Sequence, residues 1–429
     1  MTGAAEWDAL LQASAAVFTR PSFILFWTLV SAWVLCPGRR TVTRMIRVAD
    51  PAGTRAHDAY HRLLRAGTWS LTALWRTLAG LVVATLCPSG PLVLDLDDTL
   101  FHKTGRKIAG AGLFRDPVRA TARTVVYARG LNLAVLTIRI QPPWGGEPLG
   151  LPINVRLYRK GGPSLIALGA AMVQEVATWF PGRAFLLCGD GAYATLAGAG
   201  LPRTHVLSRM RCDAALYTRP RPRRPGQRGR PRKKGTRLPT PAHLARRRTG
   251  WQRISVEVRG KTVDRLLLHR PVLWYHVCPD RLVRLVIVRD PDGRQPDDFL
   301  FTTDLTASAA SVASGYSGRW AIEDTFRATK QALGGEDPQT WTGEGPERAA
   351  ALSFWIYAAV WLWYIPTHGT IPSWPVLPWY RAKATPSFAD ALAALRRALW
   401  RRQISANSTS RSVSAKMTET LIEVLAQAA

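Results

Sequence analysis

Residues 92–100 read Leu92-Val93-Leu94-Asp95-Leu96-Asp97-Asp98-Thr99-Leu100, an aliphatic run that ends in acids. A short apolar run rich in branched residues, preceded by the breaker Cys87-Pro88-Ser89-Gly90-Pro91, reads as a buried strand that delivers carboxylates at its end. Downstream, residues 124–127, 131–140 and 153–158 carry the same β-branched and apolar character. Residues 163–180 have the period of an amphipathic helix closed by Pro181-Gly182, and 184–189 form another buried strand, ending at Asp190. Strands, then a helix, then a strand predict a mixed α/β core.

The rest of the chain flanks this core. Residues 1–88 read as a helical module with apolar stretches at 8–18, 22–36 and 57–85, punctuated by Arg39, Arg40, Arg44, Arg47, Arg55, Arg62 and Arg65. After a segment at 205–211, residues 218–249 form a tract of Pro, Arg, Gly and Lys that cannot bury a core and is expected to order on a phosphate backbone. Within it Gly229-Arg230-Pro231, followed by Arg232, is a short match to an arginine hook that enters a narrow minor groove. Residues 251–305 return to strand patterns at 254–258, 262–269, 272–277 and 281–288, with 300–303 closing the region. A helix over 316–330, an apolar helix at 349–365 and a C-terminal helix near 387–402 follow, and the tail after Gln403 is Ser-rich, then helical. The expected divisions are 1–88, a core in two parts (89–211 and 306–370) around a basic, β-rich insertion (212–305), and a helical region over 371–429.

The 429 residues carry 58 Lys and Arg against 29 Asp and Glu, a net charge of +29, which predicts a polyanionic partner such as nucleic acid. With 47% hydrophobic and 20% charged residues the chain is globular rather than disordered. Its five cysteines show no metal-ligand spacing and read as reduced, structural thiols. No basic start or cleavage site suggests a secretory signal. The apolar runs at 22–36 and 349–365 fall short of the about 20 residues of a membrane span, so buried core helices are expected and no membrane partner.

The segment 316–330 places Tyr316, Arg319, Glu323 and Lys330 at offsets 0, 3, 7 and 14. At about 100° per residue these fall within roughly 60° on one helix, a polar stripe about 21 Å long. Arg319 and Glu323 are compatible with an ordinary ion pair on a solvated face. A carboxylate between cations also suits a polyanion held beside a metal ion. Asp97 and Asp190 each end a buried strand; such acids can be simple caps, but together with Glu323 they form a hard oxygen donor set suited to Mg²⁺.

On these residues the chain resembles the DDE transposases with an RNase H-like core, of the insertion-sequence group marked by Tyr-x2-Arg-x3-Glu-x6-Lys. Tyr316, Arg319, Glu323 and Lys330 match that spacing without a gap, Asp97-Asp98-Thr99 matches the first Asp-x-Thr, and Asp190 the second acid, over residues 90–365. The resemblance implies an RNase H-like mixed sheet with flanking helices, interrupted by a β-rich insertion and preceded by a helical N-terminal DNA-binding module. It implies that Asp97, Asp190 and Glu323 hold Mg²⁺, with Mn²⁺ as a substitute, and that Tyr316, Arg319 and Lys330 contact phosphates. Lys103, Arg106, Lys107, Arg230 and Arg232 are further expected DNA contacts. The implied partners are double-stranded DNA, as terminal repeats and target, and a second copy in a synaptic dimer, in the bacterial cytoplasm at the nucleoid. Asp98 competes with Asp97 as first ligand, and the Asp-x-Thr frame favours Asp97.

Two other readings compete. Leu94-Asp95-Leu96-Asp97-Asp98-Thr99 also fits the Asp-x-Asp-x-Thr motif of haloacid-dehalogenase-type phosphatases, with Asp95 as nucleophile and Asp97 as acid/base. The late Gly189-Asp190-Gly191 lacks that family's second acid, and the charge and the helical stripe are left unexplained. A catalytically inactive, transposase-derived DNA-binding protein is the third reading; the presence of all three acids argues against it.

Overall fold

The computed structural model describes residues 2–116, 118–121, 123–222, 229–368, 374, 379, 381–407 and 415–428. The helical start comprises α1 (Thr2–Gln12), α2 (Arg20–Leu35), α3 (Val42–Ala49), α4 (His57–Ala66) and α5 (Leu71–Leu86). Hydroxyl side chains start several of these helices: Thr19 accepts from the Ser22 amide, Thr41 from Arg44 and Ser70 from Ala73, satisfying N–H groups that have no partner in the helix. The run expected at 57–85 is two helices, α4 and α5, bent by 88°. Gly67 lies in that break, where an added Cβ would stand 2.6 Å from the Leu63 carbonyl oxygen.

The central part runs β1 (Leu92–His102), β2 (Gly112–Arg115), β3 (Tyr127–Ile140), β4 (Leu149–Tyr158), α6 (Leu165–Trp179), β5 (Phe185–Gly189) and β6 (Thr204–Arg209). Then come α7 (Pro241–Ala245), β7 (Gln252–Val258), β8 (Lys261–Val272), β9 (Val283–Arg289), β10 (Asp298–Thr302), α8 (Ala309–Ser317), α9 (Trp320–Gln331), α10 (Gly345–His368), α11 (Phe388–Asn407) and α12 (Ala415–Gln427). β3 lies between β1 and β4, antiparallel to both, while β1, β5 and β6 run parallel. The resulting order β4-β3-β1-β5-β6, with helices on its faces, is an RNase H-like fold. β1, β3 and β4 are buried along most of their length, on both faces of the sheet, although β1 carries three acids.

The strands of the insertion do not form a separate sheet. β10 pairs antiparallel with β6, and β9, β8 and β7 follow in order, so the described residues form one ten-stranded sheet. The strand expected at 272–277 is absent: β8 ends at Val272 and a turn closed by the Trp274 carbonyl follows. The apolar segment at 349–365 is the buried centre of α10, which is long and apolar enough to cross a membrane but packs among α1, α2, α4, α5, α9, α11 and β4.

One buried charge fixes how the later helices meet the sheet. Asp95 on β1 is fully buried and is gripped by Arg139 of β3 through Nε to Oδ2 at 3.0 Å and Nη2 to Oδ1. The same guanidinium donates Nη1 to the Gly315 carbonyl of α8 at 2.6 Å. Burial would lower the Arg139 pKa, but the Asp95 charge outweighs it and raises the value, so the guanidinium stays charged. Gly318, just past α8, lies so close that a Cβ there would stand 2.6 Å from Arg139 Nη1. The single helix expected over 316–330 is therefore two, α8 and α9, joined through Gly318-Arg319 by tightened i→i+3 bonds.

Removing one partner of this pair leaves a buried charge unmatched. Arg139→Ala is expected to cost about 3–5 kcal/mol in urea unfolding, and Asp95→Leu with Arg139→Met to recover most of that loss. A single-variant cost below about 1 kcal/mol would show that the pair does not organise the fold.

Candidate active site

Strand alternation sorts the acids of β1. Asp95 and Asp97 share one face with Thr137 and Arg139 of β3, while Asp98 lies on the other with Leu94 and Leu96. On the first face Arg319 donates Nη1 to Asp97 Oδ2 at 2.8 Å and Nη2 to Glu323 Oε1 at 2.9 Å. One guanidinium, 222 positions along the chain from Asp97, thus joins a strand acid to a helix acid. Asp190 follows β5, next to β1 in parallel register with Leu96 opposite Gly189, so it stands beside Asp97. Its charge is felt by both Asp97 and Asp98. Asp190 also accepts from the Ala192 amide at 2.9 Å and caps the 3₁₀ segment Gly191–Gly198, so the capping role holds at this residue too. Ser208 of β6 fixes its backbone by donating to the Asp190 carbonyl at 2.6 Å.

The electrostatics mark Asp97 as the strained member. Burial raises its pKa, Arg319 opposes, and the Asp190 and Asp98 charges add to the rise, which reaches about 7. Its side chain keeps 19% exposure and that of Glu323 34%, whereas Asp95 has none. Arg319 stays charged because Asp97, Tyr316 and Glu323 outweigh its own desolvation. On the opposite face Asp98 accepts from the Tyr193 hydroxyl at 3.0 Å. Burial raises the Asp98 pKa against the hydrogen bonds of Tyr193 and Asn132.

The other expected residues are dispersed. Tyr316 is buried on α8, its ring 5.6 Å from both the Arg209 and Arg319 guanidinium carbons, so it props the two arginines rather than presenting a phosphate contact to solvent. Lys330 is half-buried at 5.8 Å over the Phe101 ring, its pKa lowered by burial. The four-residue stripe is thus not one solvated face. Lys103 departs from expectation: it is buried and donates to the Glu336 and Pro338 carbonyls at 2.5 and 3.1 Å, so it ties the end of β1 to the chain after α9 instead of standing exposed like Arg106 and Lys107. Burial lowers its pKa to about 8. Arg106 and Lys107 are exposed in the loop after β1, and Arg230 and Arg232 are exposed in the basic tract. Residues 223–228 of that tract lie outside the described residues.

Tyr193 and Arg139 were not singled out from sequence. Tyr193 closes the run Cys188-Gly189-Asp190-Gly191-Ala192-Tyr193, where an aromatic hydroxyl two residues past Gly191 is a usable signal. Nothing local to Arg139 indicated its partner. The phosphatase reading fails on the same geometry: a fully buried Asp95 clamped by Arg139 is closed to a substrate.

A mixed sheet of RNase H order with acids on β1, after β5 and on a helix packed against them defines a nuclease-type core. Residues 26–264 match the family described as DDE superfamily endonuclease, more than half of the chain, and the protein belongs to that family. The match takes in Asp97 and Asp190 and ends within β8, before Glu323. No curated protein matches the sequence.

Because the folded value for Asp97 lies above the ordinary 3.8, at about 7, the native state holds an extra proton between these pH values. Stability from this group is therefore full below the unfolded pKa and falls as pH rises through that window, by up to about 1.4 kcal/mol per unit. Relative to wild type, Asp97→Asn is expected to gain stability between pH 5 and 7.5 in urea unfolding without added metal. Parallel pH profiles for the two proteins would refute the assignment.

Proposed function

We propose that the protein is a DNA transposase of the Tyr-Arg-Glu-Lys insertion-sequence group, which cleaves DNA at transposon ends and joins the freed 3′-hydroxyl to target DNA. The observation that supports this most is Arg319 bonded to both Asp97 and Glu323, with Asp190 alongside. Arg319 links Asp97 to Glu323, Asp190 stands next to Asp97, and the helix acid arrives with the Arg of the motif. The surplus of +29 supports DNA as the partner.

The donor chemistry of Asp97, Asp190 and Glu323 fits a hard divalent cation such as Mg²⁺ or Mn²⁺. Among the described residues no group of three or more His, Cys, Asp or Glu side chains is gathered as a metal site. Arg319 accounts for this, since its guanidinium sits between Asp97 and Glu323 as their counter-charge. The raised Asp97 pKa marks a carboxylate short of positive charge, which a cation beside it relieves. When bound, Mg²⁺ supplies charge stabilisation to the phosphodiester and a more acidic water. On this reading Arg319 turns to the phosphate, freeing the two carboxylates, and the Tyr316 ring keeps the guanidinium from swinging into solvent. Water forms a bond to phosphorus and loses a proton while the P–O3′ bond breaks and the departing O3′ takes up a proton; the freed 3′-hydroxyl then loses its proton and bonds to a phosphorus of the target strand, whose own P–O3′ bond breaks to leave a protonated 3′-oxygen. Asp97, facing Arg319 and Glu323, would be the first ligand, whereas Asp98 is held on the other face by the Tyr193 hydroxyl. Arg106, Lys107, Arg230 and Arg232 add backbone contacts, and residues 1–88 form a DNA-facing module. A dimer in the synaptic complex and action at the nucleoid complete the proposal.

The test is cleavage of DNA bearing the element's terminal repeats with Mg²⁺. Asp190→Asn and Glu323→Gln are each expected to lower the cleavage rate at least 10²-fold while DNA binding persists, comparable to loss of another electrostatic group at a reacting centre. Cleavage that survives both substitutions would reject the assignment.

A further inference from the structure

A second cationic feature lies away from the acids. A cleft of about 740 Å³ opens where α7 and the turn after it meet the ends of β8, β9 and β10. It is lined by Arg246, Arg247, Arg248, Trp251, Arg289 and Asp297 among others. Arg289 and Asp297 satisfy each other at 2.6 and 2.9 Å, and Arg289 also donates to the Ala245 carbonyl at 2.7 Å. Its guanidinium lies 4.2 Å over the Trp251 ring, and Trp251 Nε1 donates to the Arg247 carbonyl at 2.9 Å. These contacts fix the turn that carries Arg246–Arg248. The three arginines themselves are exposed and form no ion pair with any described residue.

Sheet register places this cleft relative to the acids. Asp190 follows the C-terminal end of β5, and β6 runs parallel beside it. β10 enters antiparallel with Leu300 opposite Arg209, and β9 leaves with Val288 opposite Asp298. Arg289, Asp297 and Phe299 therefore lie at the same end of the sheet as Asp190. Three strand steps separate β5 from β9, about 14 Å. That is about two nucleotides of extended backbone. Arg209 of β6 stands between, 5.6 Å from the Tyr316 ring.

We propose that the Arg246–Arg248 cleft binds the phosphodiester backbone of DNA, continuing along the sheet edge the path of the strand held at the acids. The inference rests on DNA as the substrate. Three consecutive exposed arginines on one fixed turn suit successive phosphates rather than one small anion. The only acid in the lining is already neutralised by Arg289, so the cleft presents a net surplus of positive charge.

The experiment is fluorescence anisotropy of a labelled DNA duplex over a salt series, comparing wild type with Arg246→Ala/Arg247→Ala/Arg248→Ala and with the matching triple Lys variant. The Ala variant is expected to lower the slope of log K against log salt by about 2 to 3 and to weaken binding at least tenfold at low salt. The Lys variant is expected to keep most of the slope. Thermal unfolding of both variants guards against loss of fold: an Ala variant that melts early is judged through the Lys variant and single Ala substitutions. An unchanged slope in a folded Ala variant would overturn the inference while leaving the transposase reading intact. Displacement of DNA from wild type by inorganic phosphate at constant ionic strength would assign the cleft to small anions instead, and overturn it. Wild-type protein that binds no DNA would reject both readings.

Discussion

The architecture depends on a fully buried carboxylate and the mostly buried guanidinium that answers it. Arg139 satisfies Asp95 on one strand and a carbonyl of α8, so β1, β3 and the helix pair are set at a fixed spacing. A buried pair of this kind is costly to desolvate and is weak evidence for net stability. Its consequence here is positional. With α8 held at Gly315 and its close approach requiring Gly318, α9 starts at the point that brings Arg319 and Glu323 over Asp97. Two arginines, one structural and one at the site, thus lie on the same face of the sheet, each bound to an acid of β1 two residues apart.

The site itself is a balance of like charges. Burial raises the proton affinity of Asp97 and Asp98, the Asp190 charge adds to both, and Arg319 offsets part of the rise at Asp97. Strand pleating separates the two adjacent aspartates more cleanly than any distance argument could. One faces the helix acid, the other a tyrosine hydroxyl.

Much of this was legible in the sequence, for physical reasons. β1, β5 and α6 were readable because strands buried on both faces are near-continuous apolar runs and because Pro181-Gly182 stops the helix. Asp97, Asp190 and Glu323 stood out by their places at element ends and by motif spacing. What escaped was set by distant partners. The break between α8 and α9 leaves both residues with helical dihedrals and arises from Arg139, far upstream, so no local signal announces it. β2 is four residues with only one of them buried, and α3 only eight residues long. Lys103 follows an acid and looks like a phosphate contact, yet carbonyls after α9 claim its amine. The insertion read as a distinct region by composition, although its strands extend the core sheet through β10.

That last feature bears on how the chain is made. β6 ends at Arg209, but the strand that covers its free edge, β10, begins only at Asp298. During synthesis the ribosome delivers nearly ninety further residues before the edge can be closed, and β7 to β9 cannot join the core until then. A nascent chain in this interval carries an open, apolar strand edge, the kind that recruits chaperones or other chains. The Pro- and Arg-rich tract falls inside the same interval, and its charge keeps the waiting segment hydrated and mutually repelling. The most highly charged stretch of the chain is thus made while the apolar edge of β6 stands open.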